Sequence, residues 1–396
     1  MTNLPTSNIV KPAAVIQAAV MPAAVMMIFE NPSKLIKELG EEFQIYLLFT
    51  IIIIIVIMYL IFIMYQSSLQ TKECDFMNTL YPDVDGYLVP ISANNSEFSH
   101  KLFDYYIKTA YNACSGGNYK NDFVDICSLK AIIKQGVRCL DFEIYSLDNE
   151  PVVATSTSSS YYVKETFNSV SFSKVMETID GYAFANGTSP NPTDPILIHL
   201  RIKSTNQEIY TKMASIFGNY TKMLGTAYSY IKNGKNIGME PLLSFQSKII
   251  LIVDNSNDAF LENNDFLEYI NLTSSSIYMR AYHYYDIKNN PDIYELTEFN
   301  KSGMTIVFPD KDINPINPNG IVARNYGCQM IAMRYQYVDN YLMENAEFFD
   351  RAAAAFVLKP PELRYQPILI PEPPPQNPDY SYETRVVETE YYDYKI

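Results

Sequence analysis

Few side chains in this sequence can move a proton or make a bond at neutral pH: there are 3 His and 5 Cys in 396 residues. His199 lies in the apolar run PILIHLRI, two residues before Arg201, so in a strand both side chains share a face. A lone strand histidine is more often a satisfied core residue; the sharper reading makes it an acid/base. The hydroxyl cluster from Ser156 to Ser160 has no paired base in view, which argues against a serine nucleophile. Cys74, Cys114, Cys127, Cys139 and Cys328 form no CxxC pair and no metal-ligand spacing with His. Neither a disulfide scaffold nor a zinc site is written here, while one or two disulfides are compatible with the count.

Short apolar runs alternate with helical periodicity from about Ser92 to Tyr365. Val137 to Tyr145, Pro195 to Ile202, Lys248 to Val253 and Thr305 to Phe308 read as strands. Phe123 to Gln135, Phe172 to Phe184, Asn206 to Phe217 and Tyr294 to Lys301 have helical spacing. Strands alternating with helices predict parallel pairing and an α/β layer or barrel. No repeat of solenoid period is present.

Residues 45–65 carry no charge, with a core reading IIIIIVIMYLIFIMY. At about 1.5 Å per residue they span roughly 30 Å, the hydrocarbon thickness of a bilayer, so a single transmembrane helix is predicted. Tyr46, Tyr59 and Tyr65 suit its interfaces. The apolar stretch 13–29, broken by Gln17 and Pro22, reads as interfacial or re-entrant, and without a basic start it makes a poor signal peptide. Lys34 and Lys37 before the span against Lys72 after it lean toward an N-terminus in the cytoplasm and a barrel on the opposite side. Sequons at Asn94, Asn186, Asn219 and Asn271 are usable only if that bulk is lumenal.

The 30 Lys+Arg against 44 Asp+Glu leave a net charge of −14, which excludes a nucleic-acid partner on electrostatic grounds. With 33 Tyr and 21 Phe the chain is not disordered throughout. Beyond Tyr365 it turns Pro-rich, then acidic and Tyr-rich. This should be an extended tail, either a solvated strip or a docking strip with Tyr380, Tyr382, Tyr391, Tyr392 and Tyr394 as anchors or modification sites.

Two stretches together resemble the catalytic barrel of eukaryotic phosphoinositide-specific phospholipase C. YNACSGGNYKNDFVDICSLKAIIKQGVRCLDFE (111–143) is similar to the start of that family's X box, and EPVV, SFSKVMETIDGYAF and PILIHLRI continue it in order. ELTEFNKSGMTIVFPDKDINPINPNG, then NYGCQMIAMRYQ and AFVLKPPELR, are similar to the Y box, with Gly327-Cys328-Gln329-Met330 the most specific piece. The resemblance implies a TIM (β/α)8 barrel in X and Y halves, preceded here by the one transmembrane helix. The implied layout is 1–44 N-terminal segment, 45–65 membrane helix, 66–91 juxtamembrane linker, 92–254 X half, 255–272 X/Y linker, 273–365 Y half and 366–396 tail.

Members of that family use one His to stabilise the phosphate, a second as acid/base, and a Ca²⁺ held by Asn, Glu, Asp and Glu. By the resemblance, the first His falls on Tyr111 and the second on Thr157, so neither imidazole is present. The ligand positions fall on Asn112, Asp141 and Glu143, with the acid side-chain lengths swapped, and the fourth falls on Arg201. Arg201 is expected to replace the metal by pairing with Asp141 or Glu143. The basic substrate-binding positions fall on Ile252, Asp254 and Ile306. Cys139 and Cys328 fall at core positions, and His100 and His283 outside the catalytic motifs, as surface or loop residues.

The sequence therefore predicts a membrane-anchored phospholipase C-like pseudoenzyme with a structural or interaction role. No cofactor is expected, and Ca²⁺ only if the degenerate site still binds it. The partners expected are the bilayer through 45–65 and a protein through the barrel surface or acidic tail. A phosphodiesterase rearranged around His199, and an inositol lipid head-group binder without turnover, are the rivals. One span, a degenerate barrel and a Tyr/Pro tail would suit a membrane protein of a large DNA virus particle.

Overall fold

Eight short parallel strands carry the protein's polar site. The structure, a computed structural model, describes residues 41–157, 163–366, 371–377 and 380–396. The stretch 13–29, Lys34, Lys37, Ser158 to Ser160 and positions 161–162 lie outside the described residues. The chain divides into two units, 1–68 and 69–396.

In the first unit the described element is most of α1 (Glu41–Leu80), a 40-residue helix. Every residue from Ile51 to Tyr65 is exposed, and the most apolar 18-residue window of the helix, mean hydropathy 3.3, has no buried residue. A helix apolar on all sides, with none of the described residues packed on this window, is long and apolar enough to cross a bilayer. Among the described residues it is the one such helix.

Residues 66–91 depart from the linker expected for them. The helix continues to Leu80, and from Leu69 onward the chain belongs to the second unit. Met77 is fully buried in that unit's core, Tyr81 Oη donates to the Tyr335 carbonyl at 2.7 Å, and Cys74 is disulfide-bonded to Cys127. Apolar groups at 77 and 81, one helical turn apart, find partners in the barrel that a two-residue signal does not announce.

The barrel strands are β1 (Tyr105–Ala110), β2 (Cys139–Leu147), β5 (Ile196–Ile202), β6 (Ile249–Asp254), β7 (Leu272–Ser274), β8 (Met279–His283), β9 (Met304–Phe308) and β10 (Met330–Met333). The order is β7-β6-β5-β2-β1-β10-β9-β8, every pairing parallel, with no ladder between β7 and β8. The barrel is thus nearly closed. Burial on both faces explains why β6 reads as a near-continuous apolar run, IILIV, ending in Asp254. β3 (Glu150–Ala154) returns antiparallel on β2 and pairs with β4 (Val170–Ser171). Asp148 and Asn149, both at positive φ, make the two-residue turn between β2 and β3.

Outside the strands lie α2 (Ile126–Lys134), α3 (Phe172–Thr178), α4 (Gln207–Phe217), α5 (Ile293–Asn300), α6 (Gly320–Asn325) and α7 (Asn340–Ala352). Five of these begin at a side-chain cap, from Asp125, Asn206, Asp292, Asn319 and Asp339. The helix expected over 172–184 is α-helical only to Thr178 and continues as a wider turn over Ile179–Ala183. Residues 255–272, expected to be a linker, are packed into the fold: Phe260 and Phe266 are buried, and Phe266 meets the rings of Tyr210 and Phe217. The tail is not extended to its end, since β11 (Val386–Glu388) and β12 (Asp393–Lys395) form an antiparallel hairpin. Its Tyr380, Tyr382, Tyr391, Tyr392 and Tyr394 are exposed.

The Y-box piece at 327–330 is a structural device. Gly327 has φ +75°, a conformation that favours glycine. Gln329, almost fully buried, donates to the carbonyls of Phe103, Asn300 and Gly303 and accepts from Thr305 N. One amide thereby ties β9, β10 and the entry to β1 together. Cys139 and Cys328 are buried, as core residues should be.

Candidate functional site

The ladder between β2 and β5 sets Asp141 beside His199 and Glu143 beside Arg201. Period two then aims Asp141, Glu143, His199 and Arg201 at the barrel axis. Asn112 joins them from the turn after β1, in the left-handed region at φ 45°, which asparagine tolerates better than most residues.

Arg201 is the centre of the cluster. Its Nε donates to Asp141 Oδ1 at 3.0 Å, Nη2 to Asp141 Oδ2 at 2.7 Å and to Asn112 Oδ1 at 3.0 Å, and Nη1 to Glu143 Oε1 at 2.6 Å. The planar fork lets one guanidinium reach all three partners. Above it, the rings of Tyr111 and Phe308 lie 4.7 and 5.1 Å from Cζ. Burial works against its charge, but the neighbouring acids hold its pKa well above the ordinary arginine value.

The acids are saturated by the protein itself. Asp141 also takes His199 Nδ1 at 2.8 Å and the Asn112 amide N–H at 3.2 Å. Although burial opposes ionisation, Arg201 and His199 hold its carboxyl far below the usual range. Glu143 Oε2 accepts from Tyr145 Oη at 2.8 Å and Ser156 N at 3.1 Å. A Ca²⁺ needs six to eight oxygen ligands, and here the carboxylate oxygens are engaged by donors around a resident cation. The one unpartnered group in the set, the buried Asn112 Nδ2, is a donor and faces no acceptor. The residues present do not fit a Ca²⁺.

His199 is fully buried, with Nε2 2.9 Å from Ser274 Oγ and Nδ1 on Asp141. Both ring nitrogens are engaged, and it does not line the cleft at the mouth. This removes the geometry that a substitute acid/base requires. Tyr111 is buried, and burial pushes its phenol well above the ordinary value against the pull of Arg201, so it is no proton shuttle at neutral pH. Thr157 lines the cleft but is tied to Glu165, whose carboxylate accepts from Thr157 N at 2.7 Å, Thr157 Oγ1 at 2.5 Å and Lys120 Nζ at 2.8 Å. Burial opposes ionisation there too, yet these bonds lower Glu165 to about 2.

The cleft has a volume of about 240 Å³. Its wall contains charged groups absent from the sequence expectations, Lys203, Lys311, Asp310 and Asp312, together with the imidazole of His283. His283, expected on the surface or in a loop, ends β8, is half-buried, and has Nδ1 2.7 Å from the Pro309 carbonyl; burial lowers its pKa. Lys203 follows 199 and 201 at period two, a signal that could have found it. Burial, with Arg201 nearby, lowers its pKa. Of the expected substrate positions, Ile252 and Ile306 are fully buried and Asp254 reaches the rim, bonded to Ser274 and Ser275. His100 packs against Arg364, away from the cleft.

A family model described as phosphatidylinositol-specific phospholipase C, X domain, matches residues 98–254, and the corresponding Y domain model matches 261–362. Among solved structures, PLC21 of S. officinalis and PLC21 of L. pealei each superpose with a TM-score of 0.53 at 16% identity, over 68% of this chain. This chain spans 38% of the length of either. A calcium-dependent phosphoinositol-specific phospholipase C from Pseudomonas sp. gives a TM-score of 0.43 at 10% identity, over 63% of this chain and 94% of that one. No curated protein matches the sequence.

Proposed function

The chain belongs to the phosphatidylinositol-specific phospholipase C family, with the X and Y parts of one barrel, and on that premise we propose that it is a membrane-anchored member without turnover. Its role is structural or one of interaction: residues 45–65 hold it in a bilayer, and the barrel surface or the acidic, tyrosine-rich tail meets a protein partner. The membrane of a large DNA virus particle is a setting that suits this arrangement.

The observation that carries the reading is Arg201 bonded to Asn112, Asp141 and Glu143 at 2.6–3.0 Å, a protein cation where the resemblance implies a metal. Two further features support it. Tyr111 and Thr157 stand at the histidine positions, and His199 is sealed behind Asp141. Cleavage of a phosphodiester needs a proton shuttle near neutral pH and a positive charge free to meet the phosphate. Arg201 has spent its donors on the acids and Asn112, and the one imidazole lining the mouth, His283, lies off the positions where the resemblance expects histidine and has Nδ1 on the Pro309 carbonyl.

A second reading, binding of an inositol phosphate head group without turnover, is favoured by Lys203 and Lys311 in the cleft wall. Glu143, Asp254, Asp310 and Asp312 in the same wall oppose it. The test is phosphatidylinositol hydrolysis by the full chain in vesicles, with Ca²⁺ or with EGTA. No product in either condition is expected; Ca²⁺-dependent product overturns the proposal. Saturable stabilisation by inositol phosphate, without product, would favour the second reading.

A further inference from the structure

The five Asn-X-Ser/Thr sequons, at Asn94, Asn186, Asn219, Asn271 and Asn300, are equivalent in the sequence and unequal in the fold. Asn94, Asn186 and Asn219 are exposed, in a turn before the barrel, a turn after the helical segment ending at Ala183, and the turn closing α4. Asn271 is fully buried just ahead of β7. Its Oδ1 accepts from Leu251 N at 2.8 Å and its Nδ2 donates to the Tyr228 carbonyl at 3.3 Å, so the side chain bridges β6 and the chain beside it. Asn300 is fully buried too, its Nδ2 donating to the Tyr326 carbonyl at 2.7 Å. A glycan on Asn271 or Asn300 cannot coexist with this barrel, while the three exposed sites leave room for one.

A second observation is independent of the sequons. Cys74 and Cys127 are joined across a separation of 53 residues, with Cα atoms 5.6 Å apart. Cys114, Cys139 and Cys328 are buried inside the barrel and offer no competing partner. Disulfides persist in oxidising compartments and are rare where thiols are kept reduced. Glycans are added to Asn-X-Ser/Thr in secretory compartments of the same redox character.

We infer that the barrel lies on the oxidising, lumenal side of its membrane and carries N-linked glycans at Asn94, Asn186 and Asn219 but not at Asn271. The glycan donor is a lipid-diphosphate-linked oligosaccharide. The Nδ2–C1 bond forms, the C1–oxygen bond to the diphosphate breaks, the lipid diphosphate leaves with the electron pair, and the Nδ2 proton passes to the transferase. The two thiols give up two protons and two electrons to a disulfide-bearing oxidase. The bias of Lys34 and Lys37 over Lys72 points the same way.

The test uses the full chain expressed in cells with a secretory pathway, digested with an N-glycosidase and compared with Asn94→Gln, Asn186→Gln, Asn219→Gln and Asn271→Gln. A glycosidase-sensitive mobility shift is expected, one step of which is lost in each of the first three variants, while Asn271→Gln runs with the parent. A glycan on any of the exposed three upholds the lumenal placement. A chain in the membrane fraction with no glycosidase-sensitive shift overturns it, and a glycan found on Asn271 of folded protein overturns the assignment of sites. Non-reducing peptide mapping of the same material should recover the Cys74–Cys127 pair, and its reaction with a thiol reagent before reduction counts against the inference.

Discussion

Replacing Arg201 with methionine keeps most of the side-chain volume and removes the charge. It leaves Asp141 and Glu143 buried without their cation and takes away four hydrogen bonds, at Asp141 Oδ1 and Oδ2, Glu143 Oε1 and Asn112 Oδ1. Breaking a buried pair by deleting one partner costs about 3–5 kcal/mol. At roughly 2–4 °C per kcal/mol, that lowers the melting temperature by about 6–20 °C. The loss should shrink at acid pH, because Asp141, no longer held low by Arg201, takes up a proton and so stops being an unpaired charge. The same change frees the carboxylates for a dication. Ca²⁺ at about 100 times its dissociation constant would return about 2.7 kcal/mol to Arg201→Met and nothing to the parent. With 33 Tyr and no Trp, unfolding is followed by tyrosine emission or circular dichroism on the detergent-solubilised full chain. A parent protein stabilised by Ca²⁺, or an Arg201→Met variant less than about 1 kcal/mol below it, would refute the idea that Arg201 stands in for the metal.

Reducing the Cys74–Cys127 bond, which closes a loop of sequence separation 53, should cost about 4 kcal/mol on the chain-entropy estimate, read as the drop in melting temperature on adding dithiothreitol. Gln329→Leu removes the partner of Thr305 N and of the Phe103 and Gly303 carbonyls in the core, so a loss of about 3 kcal/mol or more is expected in denaturant unfolding, and a near-neutral result would mean that water or a rearranged backbone satisfies them. Lys359, whose Nζ donates to the Asn300 carbonyl, is pushed down to about 7 by burial, against the pull of Asp104. The unfolded chain therefore holds this proton up to about pH 10 and the folded chain only below about 7. Stability from this group is full above the unfolded pKa and is lost as pH falls toward the folded one, at up to about 1.4 kcal/mol per pH unit; Lys359→Met should flatten that slope between pH 7 and 10, and an unchanged slope would place the titration elsewhere.

The barrel was legible because two periods and a set of ordered motifs agreed. IILIV and ILIHLRI have the continuous apolar character of strands buried on both faces, and Asp125, Asn206 and Asp292 sit at helix starts. The resemblance then supplied strand order, which periodicity alone cannot. What stayed hidden was long-range. Nothing near Cys74 or Met77 reveals that a helix continuing from an apolar span docks on α2, since the contact is made by scattered single residues, Gln70 on the cap Asp125, Cys74 on Cys127, and Met77 and Tyr81 in the core. At the site, the resemblance pointed to Asn112, Asp141, Glu143 and Arg201. It gave no reason to look at His283 or Lys311, which reach the cleft from β8 and from the loop after β9.

The replacements at the mouth are interdependent. An arginine among carboxylates is tolerable only if its desolvation is offset on every side, and the acids cover one side of the guanidinium while aromatic rings cover another. Tyr111, at a position where the resemblance expects histidine, supplies such a face 4.7 Å from Cζ, and Phe308 supplies a second. A histidine at 111 that became protonated would instead face Arg201 as a like charge. Arg201 binds the turn after β1, β2 and β5 through one group, so the polar centre stabilises the barrel as a metal site stabilises a small domain. Selection for stability alone can keep such a centre polar whether or not the barrel turns over substrate, because removing any one member leaves the others buried and unpaired.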